Sequence, residues 1–298
     1  MSSPDGVAVV DKARGWTSHD VVARARRLLG TPRVGHAGTL DPDATGVLVL
    51  GVGRATRLLR YVGALPKSYV GEVVLGSETT TLDAGGEVVA THQMAAVTLG
   101  QARAAAADLV GEILQVPPMV SARRVGGRRL HQLARQGVEV EREPRPVTVH
   151  RFEVTWLRQS VAGIEVECSS GTYVRVLAAD LGRALGGGAH LDRLRRTAVG
   201  PFGVADADPV EELRLLPPGA AVGHLSTVAV GDDVAARVAN GGRLRRRGEA
   251  VAFDGEGPWA VTSATTGTLL AVYGGTGEWV RPEVVLGGPG GGERGGDR

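Results

Sequence analysis

No helix and no paired strand runs through Pro217-Pro218-Gly219. Adjacent prolines remove two backbone donors and lock φ, and the glycine after them lets the chain turn freely. The 298-residue chain is therefore expected to divide there, into a body over residues 1–220 and a second unit over 226–287. A chain of this length buries roughly 75% of its unfolded surface, enough for a core without crosslinks. In the second unit, residues 227–286 hold four or five short β segments between glycine turns and read as a small all-β domain. Residues 288–298 are glycine-rich and polar, and are expected to be a disordered tail.

In the body, strand and helix patterns are mixed. Val7 to Val10 is an apolar run of strand length. Thr17, with Asp20 three positions on, has the spacing of a capping box. Val21, Val22, Ala25, Leu28 and Leu29 then repeat at helical spacing as far as Gly30, a C-terminal stop. Residues 47–52 read as a strand or a buried helical turn, 69–75 as a strand, and 101–114 as an alanine-rich helix. Residues 147–157 and 163–168 alternate like antiparallel strands, and 174–185 read as a strand running into a helix. Between Pro117-Pro118 and Pro146 stand seven arginines against Glu139, Glu141 and Glu143, a composition that suits an inserted basic arm.

Composition excludes several classes. Cys168 is the only cysteine, so no intramolecular disulfide and no multi-cysteine zinc site forms. The seven histidines lack metal-ligand spacing. The polar start and the lack of any apolar run near ~18 residues point to a soluble, cytoplasmic protein. Gly51-Val52-Gly53 begins a dinucleotide fingerprint, but Thr56 stands at its third glycine and Glu72 lies inside a strand, not at its end. No Gly-Lys-Ser/Thr occurs, which removes the P-loop. Of 34 basic residues only Lys12 and Lys67 are lysine; arginine forks onto phosphate with two donors, although a coding bias also produces such a ratio.

One loop outweighs these signals. Gly35-His36-Ala37-Gly38-Thr39-Leu40-Asp41-Pro42-Asp43-Ala44-Thr45-Gly46 is too rich in glycine and proline for regular structure, and Pro42 stiffens the surroundings of Asp41. With Leu48 it fills every fixed position of G-H-x-G-x-L-D-P-x-A-x-G-x-L and closely resembles the catalytic loop of the tRNA pseudouridine-55 synthase family. Lys12 to Ser18, Lys67-Ser68-Tyr69, Pro117-Pro118 with Ser121-Ala122, Gly171 to Arg175 and Ala189 to Arg196 resemble further motifs of that family in the same order. Ala13 replaces a usual proline, Val120 a usual aromatic and Arg124 a usual lysine.

The resemblance implies an α+β fold: a mixed, largely antiparallel catalytic sheet, a basic thumb near residues 117–146, and a small all-β PUA-like RNA-binding domain. It implies isomerisation of uridine 55 in the tRNA T-loop, with the base flipped out and Asp41 as nucleophile. Tyr69 would stack on uracil and Arg175 would pair with Asp41. Tyr173 and Leu194 would line the base pocket, His36 would lie against the RNA loop, and Arg128 and Arg129 would meet its backbone. The reaction involves no redox step and no phosphate transfer, so no cofactor or metal is expected. A guide-RNA-dependent synthase would share the aspartate loop, but two lysines do not make its lysine-rich extensions. A stand-alone monomer is the expectation. An RNA-binding protein without catalysis is the rival reading, and it would not need Asp41, Tyr69 and Arg175 together. A nucleotide-binding oxidoreductase is a more distant one.

Overall fold

The computed structural model describes residues 4–119, 124–125, 128–129, 140–248 and 251–287. The expected tail and most of the expected thumb lie outside these residues. The first strands are β1 (Gly6–Lys12), β2 (Val34–His36), β3 (Thr45–Val52) and β4 (Lys67–Leu75). A ribbon of β5 (Ser77–Thr79) and β6 (Val88–Thr91) follows, then β7 (Gly111–Gln115) and the short pair β8 (Arg124–Val125) and β9 (Arg128–Arg129). The long hairpin of β10 (Arg145–Arg158) and β11 (Val161–Cys168) precedes β12 (Ala189–Val199) and β13 (Phe202–Gly203). Nine of these form one sheet, whose main path runs β1-β3-β12-β4-β11-β10-β7. Only the β3–β12 contact is parallel.

Helix α1 (Ser18–Leu29) forms as its pattern predicts: Thr17 and Asp20 complete the capping box, and Gly30 ends it at φ 60°. Its Val21, Val22 and Ala25 pack on Val10, Leu48 and Leu50. A 3₁₀ turn (Gly53–Leu58) leads into the short α2 (Leu59–Ala64). Helix α3 spans Leu99–Ala107, capped by Thr98 and Gln101, and α4 spans Val174–Ala184. Both bury one side in the cluster that holds Val73, Ile164 and Val166 of the sheet.

Three readings need correction. The expected helix over 101–114 ends at Ala107, because Gly111 takes φ 110° and opens strand β7. Residue Val174 begins α4 directly, with no strand before it; the preceding residues are loop. The second unit is not all-β. Its sheet, β14 (Ser226–Val230), β15 (Leu244–Arg245), β16 (Trp259–Ser263), β17 (Leu269–Gly274) and β18 (Trp279–Val285), runs in the order β14-β16-β17-β18-β15. Helix α5 (Asp232–Ala239) lies over it, with Val234 and Val238, one helical turn apart, facing Phe253, Val261 and Tyr273.

The two sheets share a core. Ala260, Val272 and Val284 of the second, with Leu286 just past its last strand, pack with Val47 and Val49 of the first and with Leu58, Tyr61 and Val62 of the 3₁₀ turn and α2 beside it. Ala221 and Val222, just past the double proline, are fully buried in this same cluster. Among the described residues no helix is long and apolar enough to cross a membrane.

Candidate active site

The loop between β2 and β3 is held from three sides. Ser18, at the start of α1, accepts the Leu40 amide at 2.9 Å and donates to its carbonyl at 3.1 Å. Lys12, at the end of β1, is almost wholly buried and donates to the carbonyls of Trp16 at 2.7 Å and of Ala13 and Pro42 at 3.1 Å. Burial lowers its pKa to about 8, against the opposing pull of Asp41 and Asp43. Arg196, on β12 and fully buried, donates to Val47 at 2.7 Å and to the Gly38 carbonyl at 3.1 Å. Gly46 sits against the Arg196 backbone at φ 99°, where any Cβ would collide with the Arg196 carbonyl oxygen.

These restraints fix the loop that carries Asp41 into the wall of a cavity. The Asp41 side chain is 49% exposed. Desolvation raises its pKa; the Arg175 guanidinium opposes this, and the Asp83 charge adds to the rise. Arg175, one residue into α4 and 6% exposed, donates through one terminal nitrogen to Asp41 Oδ2. Its other terminal nitrogen lies 3.3 Å from Asp83 Oδ2. Asp83 is itself fixed: it accepts from Thr81 Oγ1 at 2.5 Å and from the Gly85 amide at 3.1 Å. One buried guanidinium therefore spans two carboxylates, and its direction sets that of Asp41.

A cavity of about 290 Å³ opens above this pair. Asp41, Tyr69, Tyr173, Arg175 and Leu194 all line it, so five residues singled out in the sequence meet in one place. Tyr69 comes from β4, opposite Arg196 in the β12 register. Burial raises its pKa more than the Arg196 charge lowers it, so its hydroxyl stays protonated and able to donate. Tyr173, the N-cap of α4, is held by its backbone through the Gln115 side chain, at 2.9 and 3.4 Å. A larger groove of about 480 Å³ shares Leu194 but lacks Asp41 and Arg175, and its Arg193 faces Glu72 at 3.5 Å. The smaller cavity holds the reactive groups.

His36 does not line the cavity. It lies on β2 with its ring edge-on to His19, 5.7 Å between centroids, and its buried Nδ1 has no hydrogen-bond partner among the described residues. Arg128 and Arg129 form β9, paired with β8; their side chains lie outside what the structure describes. Four residues were missed as site components: Asp83, Lys12, Lys67 and Arg196. Lys67 lines the cavity with its ammonium on the carbonyls of Gly63 and Leu65, at 2.5 and 2.6 Å. The only local sign of Asp83 is the polar run Thr79 to Gly86 around Leu82, whose φ is 63°. Among the described residues no group of three His, Cys, Asp or Glu is placed to hold a metal.

The model of the TruB family pseudouridylate synthase N-terminal domain matches residues 26–174, and that of the tRNA pseudouridylate synthase B C-terminal domain matches 175–216. The chain belongs to the TruB family. It is therefore a pseudouridine synthase, an isomerase. A relative named tRNA pseudouridine synthase B from Arthrobacter sp. (strain FB24) is 47% identical over 295 residues, 94% of this chain and 96% of that one. The protein of the same name from Symbiobacterium thermophilum is 52% identical, over 80% of this chain and 83% of its own. Among solved structures, "Crystal Structure of a Cbf5-Nop10-Gar1 Complex" superposes with TM-score 0.73 at 27% identity, covering 94% of this chain and 84% of that one. A chain of "Structure of H/ACA RNP bound to a substrate RNA containing 2'-deoxyuridine" gives TM-score 0.72 at 24% identity, covering 94% and 84%, which shows the shared fold.

Proposed function

We propose that this chain isomerises uridine 55 in the T-loop of tRNA to pseudouridine, with Asp41 as nucleophile and the target uridine turned out of its stack. The observation that carries the reading is Asp41, paired with Arg175, lining one cavity with Tyr69, Tyr173 and Leu194. Isomerisation breaks the C1′–N1 bond, turns the uracil and joins C5 to C1′. The C5 proton then leaves, and N1, freed from the sugar, gains one. A carboxylate suffices to open such a sequence, by adding at C6 or at C1′. Arg175 favours the ionised, nucleophilic form of Asp41 against the cost of burial.

Tyr69 offers a ring face for the uracil and a protonated hydroxyl beside it. Turning a base out of a folded stack costs a few kcal/mol, which stacking in the cavity and arginine–phosphate contacts offset. Asp41, Tyr69 and Arg175 act on the reacting nucleotide, and Tyr173 and Leu194 shape its pocket. His36 faces the RNA loop outside the pocket, Arg128 and Arg129 hold its backbone, and the second sheet adds RNA affinity. The enzyme works without a guide RNA. Support for this last point is the 47–52% identity to proteins named for tRNA, against 24–27% to chains from guide-type assemblies.

The test is incubation with unmodified tRNA, followed by position-by-position mapping of pseudouridine. Product at the T-loop uridine is expected, and product elsewhere only, or none, overturns the assignment.

A further inference from the structure

Nucleobases stack on aromatic faces, and guanidinium groups both stack and pair with phosphate. Strand β18 carries such an aromatic on its outward side: Trp279 is 40% exposed. Arg245 of β15 stands directly opposite it in register, with its guanidinium 5.4 Å from the ring centroid, and that of Arg243 lies at 5.6 Å.

Strand alternation sorts the basic run around it. Arg246 turns inward, donating to the carbonyls of Phe253 and Thr276 at 3.3 and 3.2 Å and to that of Gly255. Arg243, Arg245 and Arg247 face solvent, as does Arg281 two residues along from Trp279. The acids nearby leave this surface positive. Glu283 is occupied by Arg60 and Tyr61, and Glu278 meets Arg245 only at 3.7 Å with both side chains mostly exposed, a pair that water screens. Arg243, Arg247 and Arg281 have no carboxylate partner among the described residues.

We infer that Trp279, Arg243 and Arg245 form a stacking site for one unpaired nucleotide of the substrate RNA, separate from the cavity of Asp41. The base lies on the Trp279 ring, and the arginines displaced from it take the flanking phosphates. This rests on the reading of a structured RNA as substrate. The site is selective for unpaired residues, because a base within a duplex has no free face to offer.

The experiment compares the full-length chain with its Trp279→Ala, Trp279→Phe and Arg245→Ala variants. An oligoadenylate and a fully paired RNA hairpin are the binding probes; full-length tRNA and an isolated T-arm stem-loop are the reaction substrates. Trp279→Ala should weaken oligoadenylate binding roughly tenfold, within the range for loss of one base–aromatic stack. The hairpin should bind unchanged, and Trp279→Phe should restore most of the loss. For full-length tRNA, kcat/KM should fall with kcat at saturation intact, while the T-arm stem-loop reacts as before. Equal loss on both reaction substrates would make Trp279 a support of the catalytic fold. Unchanged oligoadenylate binding would mean that this surface takes no RNA and faces a protein or solvent. Either result overturns the inference. Failure of the wild-type chain to modify either substrate would instead refute the proposed reaction.

Discussion

The Tyr61 hydroxyl donates to the Glu283 carboxylate at 2.8 Å, tying helix α2 to the last strand of the second sheet. Arg60 joins the same oxygen at 2.7 Å, Arg57 donates to the Val285 carbonyl at 2.8 Å, and Arg54 reaches the Leu286 carbonyl. Burial of the phenol pushes the Tyr61 pKa up to about 12, so this donor persists across the working pH range. Helix α2 also ends at the carbonyls that hold Lys67 in the cavity wall. A chain cut near Pro218 would lose Val284, Leu286 and their neighbours from the shared core. Such a truncation is expected to melt well below the full chain, and an equal melting temperature would show that the two sheets are independent. Glu283→Ala should cost about 1–2 kcal/mol by leaving the buried Tyr61 hydroxyl without its acceptor.

Asp41→Asn keeps the size of the side chain and removes its charge. Isomerisation should fall by at least ~10⁴, about 5.5 kcal/mol of barrier. Binding of tRNA should remain within about tenfold. Near-normal single-turnover rates would place the nucleophile elsewhere.

Asp83→Asn probes the second carboxylate on Arg175. The Asp83 charge raises the Asp41 pKa, so its removal should shift the acid limb of the pH–rate profile to lower pH. Arg175 also loses an anchor. At neutral pH the saturating rate should therefore fall, by roughly tenfold to a hundredfold for a misaimed carboxylate. In the wild type the acid limb should lie above the usual carboxylate range, because desolvation outweighs Arg175. A limb that moves upward in Asp83→Asn would contradict this geometry.

Lys12→Met leaves the carbonyls of Ala13, Trp16 and Pro42 without their shared donor and should destabilise the chain by about 1–3 kcal/mol. The pH dependence has a definite sign. With a folded pKa near 8 and an ordinary value of 10.5, the unfolded chain holds more protons between those values. Stability supplied by Lys12 therefore rises with pH across that window and is lost as pH falls through 8. Thermal melts should show the advantage of the wild type over Lys12→Met growing from pH 8 to pH 10; a constant gap would show that Lys12 titrates normally.

Replacing Arg128 and Arg129 by alanine should weaken tRNA binding and flatten its salt dependence by roughly 0.7 to 0.9 per lost phosphate contact. Titrations at several salt concentrations check this. An unaltered slope would leave those two arginines without a role on the RNA.

Local signals in the chain settled α1 by themselves, because Thr17, Asp20 and Gly30 cap a helix within one stretch of sequence. They also marked the loop of Asp41, where glycine and proline are needed for backbone reasons that a linear pattern records. Asp83 was not legible in that way. Its value lies in a 3.3 Å approach to Arg175, 92 residues away, and nothing near it in sequence encodes that distance. Lys12 and Arg196 stood in conspicuous motifs, yet only burial revealed that their charges are spent on backbone carbonyls that fix the loop. Pro217-Pro218-Gly219 marked a break between strands, where only a 3₁₀ turn (Pro218–Val222) forms, and that is a property of the backbone alone. Whether the parts on either side separate was decided by apolar side chains far apart in sequence, which leave water only when packed against one another.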